Sequence, residues 1–80
     1  MMSFEKIRNK YQIPISRNGK VLVSYNGELR PARVLRAIDG AGVWDDEIVL
    51  RIDGGDASIH KVYDPGDVSI LWDLKGDIET

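Results

Sequence analysis

The chain has 80 residues, 42% of them hydrophobic, and no cysteine. One small domain with a single core follows, and disulfides, thiolate metal sites and thiol nucleophiles are excluded. The formal net charge of −2 conceals a segregation: eight basic residues against two acidic ones up to Ile38, net +6, then three against eleven from Asp39 onward, net −8. Such asymmetry bears on partners and association, not on fold.

The segment from Met1 to Tyr11 is charged and interrupted by Asn9, so it lacks the apolar run of a signal peptide. No apolar stretch approaches the ~20 residues needed to cross a bilayer. A chain without cysteine suits a reducing compartment, and a cytoplasmic protein with no membrane partner is the expectation.

Ser3 opens the first element as an N-cap, with Phe4, Ile7 and Tyr11 on one side of a short amphipathic helix over residues 3–11. About two helical turns are marginal alone, so this helix requires a surface for its apolar side. Ile13-Pro14-Ile15 is extended, because proline disfavours helix in the residue before it.

After Arg17-Asn18-Gly19 the hydrophobic period changes to two. Val21, Val23 and Tyr25 alternate with Lys20, Leu22 and Ser24, and Asn26-Gly27 is the strongest two-residue hairpin signal. A second strand places Arg30, Ala32, Val34, Arg36 and Ile38 on one parity and Pro31, Arg33, Leu35 and Ala37 on the other. Pro31 cannot donate to a ladder, which puts it among the strand's first residues or on an edge. A flexible loop runs from Asp39-Gly40-Ala41-Gly42 through Trp44 to Asp46.

Ile48, Leu50 and Ile52 share one face of a third strand, and Asp53-Gly54-Gly55-Asp56 reverses the chain. A fourth strand spans Ala57 to Tyr63, Asp64-Pro65-Gly66-Asp67 is a tight turn, and Val68 to Trp72 makes a short fifth strand. The polar tail 73–80 is expected to fray. Val21, Val23, Val34, Leu50, Ile52 and Ile70 form the predicted core.

Five short strands with hairpin signals and no second helix give an all-β fold: a five-stranded antiparallel barrel with a short N-terminal helix, a closure that also removes exposed edges. The residues Gly19-Lys20-Val21, Val23, Tyr25, Gly27, Pro31-Ala32, Val34, Leu50-Arg51-Ile52-Asp53-Gly54, Val62-Tyr63-Asp64-Pro65, Val68 and Ile70-Leu71 carry a resemblance. Over residues 19–72 the layout resembles the Src-homology-3-like barrels, including Tudor-like and KOW-like modules. More loosely, it is similar to short barrel proteins encoded by phages and mobile elements. The resemblance implies a small accessory or inhibitory protein, such as an anti-CRISPR-like antagonist of host defence. The plasmid-borne type II dihydrofolate reductase shares this size and strand order but lines its pore with a Val-Gln-Ile-Tyr segment. The nearest stretch here, Ile59-His60-Lys61-Val62-Tyr63, lacks the glutamine and the register.

No catalytic or cofactor constellation emerges. His60 is the only histidine, and Ser58 and Ser69 lie in no nucleophile motif. Asp45-Asp46-Glu47 and Asp53 with Asp56 lack the alternating ligand spacing of a calcium loop. The expectation is a non-enzymatic module that needs no cofactor or metal and acts on a protein partner, with a homodimer as one form of that contact. The candidate contact residues are Arg30, Arg33, Arg36, Trp44, Asp45, Asp46, Glu47 and Trp72. Tryptophan is over-represented at binding hot spots, although Trp72 equally suits closing one end of the barrel. Nucleic-acid binding by the basic half is the alternative. Strict alternation argues against one continuous arginine stripe, since Arg30 and Arg36 share a parity that Arg33 does not. The second strand faces carry Leu22, Leu35, Val49, Val62 and Leu71; the helix is one available cover, but two turns cannot cover a whole barrel, and an interface is the other reading of this surface.

Overall fold

The computed structural model describes residues 3–72, so the tail expected to fray lies outside the described residues. The first element is the helix α1, Phe4–Tyr11. Ser3 caps it by accepting the Lys6 N–H at 3.2 Å, and Gln12 ends it in the left-handed region at φ 58°. Such a cap contributes about 1 kcal/mol.

The strands are β1 (Lys20–Tyr25), β2 (Glu28–Ile38), β3 (Glu47–Asp53), β4 (Ser58–Tyr63) and β5 (Ile70–Leu71). They form one antiparallel sheet in the order β4-β3-β2-β1-β5. Asn26 and Gly27 both have positive φ, 52° and 81°, the two-residue geometry that joins twisted strands. β5 is shorter than the alternation from Val68 to Trp72 predicts: only Ile70 and Leu71 pair, with Val23 and Leu22. The sheet therefore has two edges, β4 and β5, which are not neighbours in its order.

β2 is shared unequally. Its residues from Glu28 to Arg33 pair with β1, and those from Ala32 to Ile38 pair with β3. Only Ala32 and Arg33 are paired on both sides. Pro31 lies one residue before the β3 ladder begins, opposite Leu22 of β1. In a two-residue hairpin the closing pair exchanges both hydrogen bonds and the pairs then alternate, so Pro31 falls at a non-bonded site where no donor is needed.

The register of β2 shifts between Val34 and Arg36, leaving Leu35 as an extra, bulged residue. This corrects the strict alternation expected for the strand. After the bulge Ala37, not Arg36 or Ile38, turns inward and is fully buried. A strict frame would have driven the Arg36 guanidinium into the core, and the bulge removes that desolvation cost.

The predicted core residues Val21, Val23, Val34, Leu50, Ile52 and Ile70 are all buried in one cluster, joined by Ala32, Ala37, Ile48 and Tyr63. Ile7 of the helix and Ile15 of the extended segment are buried in that same cluster, with Phe4 and Tyr11 packed against it. A backbone bond from Ser3 N–H to the Ala37 carbonyl, 2.8 Å, ties the helix start to β2. The helix thus covers the inner face. It gives no cover to Leu22, Leu35, Val49, Val62 and Leu71, which lie outside the cluster on the other side.

The sheet curls strongly. Tyr25 of β1 and Tyr63 of β4 are separated by two intervening strands, yet the Lys61 ammonium lies 5.4 Å from both ring centroids. Among the described residues no helix is long and apolar enough to cross a membrane.

Candidate binding surfaces

The loop from Asp39 to Asp46 is organised by one carboxylate. Asp46 is buried, and its oxygens accept from Lys10 Nζ (2.6 Å), Tyr11 Oη (2.6 Å) and the Gly40 backbone N–H (2.8 Å). The Lys10 and Tyr11 hydrogen bonds, with that of Gly40, hold the Asp46 carboxyl far below the usual carboxylate range. The same contact raises the Lys10 ammonium and the Tyr11 phenol above their ordinary values. One side chain thus fastens the end of the helix to the base of the loop.

Gly40 closes the loop on itself. Its carbonyl accepts from Val43 N–H (3.0 Å) and Trp44 N–H (3.1 Å), and a Cβ at this position would lie 1.9 Å from the Trp44 carbonyl oxygen. Only glycine fits so close an approach. Beyond this joint Val43 is 75% exposed and Trp44 79% exposed. A shallow depression beside the loop is lined by Lys6, Asn9, Lys10, Asp39, Ala41 and Gly42. Lys6 meets Asp39 across it at 3.6 Å.

The other predicted contact residues are dispersed. Asp46 is the one whose burial and three partners give it a structural task; Asp45 beside it is exposed, and Glu47 is half-buried opposite Ile38. Trp72 is partly buried and packs against the core. Asp53 accepts the Gly55 N–H at 3.0 Å, a turn contact. Among the described residues no group of three or more histidines and carboxylates could hold a metal ion.

The arginines do not behave as strict alternation predicts. Arg30 pairs with Glu28 at 2.7 Å on the inward parity near the hairpin. The bulge brings Arg36 to the outer face with Arg33, reversing the expected separation of those two. Arg33 Nη1 also donates to the Asn18 carbonyl at 2.9 Å. Arg51 and His60, absent from the predicted set, join Arg33 on this face: Arg33 is opposite Arg51, and Arg51 is opposite His60. The signal in the sequence was a lone arginine breaking the apolar alternation of β3, but the pairing needed the register.

No protein-family model, curated protein or solved structure matches the chain.

Proposed function

We propose that this protein is a non-enzymatic binding module that engages a protein partner through the β2 to β3 loop, with Trp44 as anchor. The observation that carries the reading is the exposure of Trp44 and Val43 on a loop whose base is fixed by Asp46 and Gly40. Two large apolar side chains held away from the core offer area to a partner, and fixing them beforehand lowers the ordering cost of association. Exposed Asp45 adjoins Trp44 in the chain, and Lys6 and Asp39 line the depression beside the loop, so charge is available for the polar rim of an interface.

The return of β5 beside β1 and the curl of the sheet favour a Src-homology-3-like barrel as the finer description of the fold. The phage or mobile-element setting, with an inhibitory role of the anti-CRISPR-like kind, rests on the resemblance alone, since fold does not imply function.

The test compares the parent with Trp44→Ala and Val43→Ser in affinity capture from host lysate and in sedimentation equilibrium, which covers a second copy as partner. A partner or dimer held by the parent and lost by both variants, with melting unchanged, supports the reading. Equal retention by all three proteins refutes it.

A further inference from the structure

The two residues of β2 paired on both sides are Ala32, which points inward, and Arg33, which points outward. Through Arg33 the register runs straight across four strands: Lys20 of β1 opposite Arg33, Arg33 opposite Arg51 of β3, and Arg51 opposite His60 of β4. Val21, Ala32, Leu50 and Ile52 beside them are buried inward, so Lys20, Arg33 and Arg51 project from the outer face. At roughly 4.5 to 5.5 Å per cross-strand step the row is about 15 Å long.

Like charges directly opposite on adjacent strands destabilise a sheet. This row contains two such steps, and among the described residues none of its members makes an ion pair; the three ion pairs lie elsewhere, at Lys6, Lys10 and Arg30. The carboxylates nearest along β3, Asp53 and Glu47, sit at other positions of the ladder, opposite Ser58 and Ile38. Arg36 adds a further outward cation one step along β2, opposite Val49. Apolar rows flank the cations: Leu71, Leu22 and Pro31 on one side, Val49 and Val62 on the other. Val62 and Leu71 are 54% and 46% exposed.

We propose that this outer face binds single-stranded nucleic acid, with Lys20, Arg33 and Arg51 meeting successive phosphates and the flanking aliphatic side chains lying against unpaired bases. Backbone phosphates complement a line of cations that form no ion pair among the described residues, and arginine suits phosphate by its planar, two-pronged donor geometry. A single strand is favoured over a duplex because its bases are free to turn onto the aliphatic rows, and among the described residues no helix or protruding ribbon lies on this face to enter a groove. The site is separate from the Trp44 loop, so it stands or falls independently of the protein-binding reading.

The experiment is fluorescence anisotropy of a labelled mixed-sequence single-stranded oligonucleotide titrated with the full chain at several salt concentrations. Three phosphate contacts predict a slope near −2 in log affinity against log salt, or about 20-fold weaker binding between about 50 and about 200 mM salt. Arg33→Glu with Arg51→Glu should weaken binding at low salt by at least about tenfold and leave less than about threefold salt dependence. Lys6→Glu with Arg30→Glu makes the same change in net charge off the row and should bind nearly as the parent does. Arg33→Gln with Arg51→Gln serves as the milder pair should the glutamates unfold the sheet, with melting recorded for each variant. Equal losses in the on-row and off-row pairs, no binding at low salt, or preference for duplex or for anionic lipid vesicles would each overturn the proposal.

Discussion

Asp46→Asn keeps the shape of the side chain and removes its charge, which isolates the work done by the carboxylate between helix and loop. Three donors converge on it, and hydrogen bonds to a charged group are worth about 1.5 to 3 kcal/mol each. The Lys10 side chain is 55% exposed, so solvent screens its share and the cost rests on the Tyr11 and Gly40 contacts. Asparagine still offers an oxygen to the Gly40 N–H, while the charge assistance to Tyr11 and Gly40 is lost. The expected net cost is about 2 kcal/mol, or a melting temperature lower by about 8 to 16 °C in a domain of this size. Urea denaturation followed by tryptophan fluorescence measures it. The pH dependence has a defined sign: the folded-state pKa lies below the unfolded value of about 3.9, so the stabilisation is complete above that value and fades as pH falls toward the folded pKa. The gap between parent and variant should thus be constant from neutrality to about pH 5 and close in stronger acid. Adding Tyr11→Phe should produce a smaller loss in the Asp46→Asn background than in the parent, since the two residues share one bond. A variant within about 0.5 kcal/mol of the parent at neutral pH would refute the reasoning.

Leu50 is fully buried at the centre of β3, and Leu50→Ala should lower unfolding free energy by about 2 to 5 kcal/mol in the same denaturation assay. A Cβ at Gly27 meets nothing within 4 Å, so Gly27→Ala should cost only the left-handed backbone penalty of about 1 to 2 kcal/mol, with an unchanged circular-dichroism spectrum. Gly40→Ala, by contrast, must displace the Trp44 carbonyl; amide exchange of Val43 and Trp44 should accelerate markedly while the core amides of β3 stay protected. Trp44→Ala should leave melting within about 0.5 kcal/mol of the parent, because an exposed side chain makes little contribution to stability.

Local features were legible because they need only neighbours. Ser3 caps the helix three residues before its donor, Asn26-Gly27 makes its turn from its own backbone, and the alternation of β1 and β3 sorts their residues correctly into core and surface. The bulge at Leu35 was hidden because Val34, Leu35 and Ala37 are apolar in either frame. The clue was Arg36, which a strict frame assigns to the interior. Asp46 sits in a run that reads as a solvated acidic patch. Its burial depends on Lys10 and Tyr11, 36 and 35 residues away, a distance over which periodicity carries no information. The cation row is likewise a product of pairing: three of its members come from separate hairpin arms that only the register aligns.

Lys61 has a consequence for the free edge of β4. A sheet edge offers unpaired backbone donors and acceptors to any strand of another molecule, and growth by such addition leads to fibres. Here the edge strand carries an ammonium on its inward parity, opposite Leu50, seated over two tyrosine rings. An incoming strand that continued the sheet would extend its inner face beside that charge and bury it, at a desolvation cost that an aliphatic residue in the same place would not impose. Among the described residues β4 is the outermost strand on this side, and an inward lysine there disfavours the burial that strand addition would require.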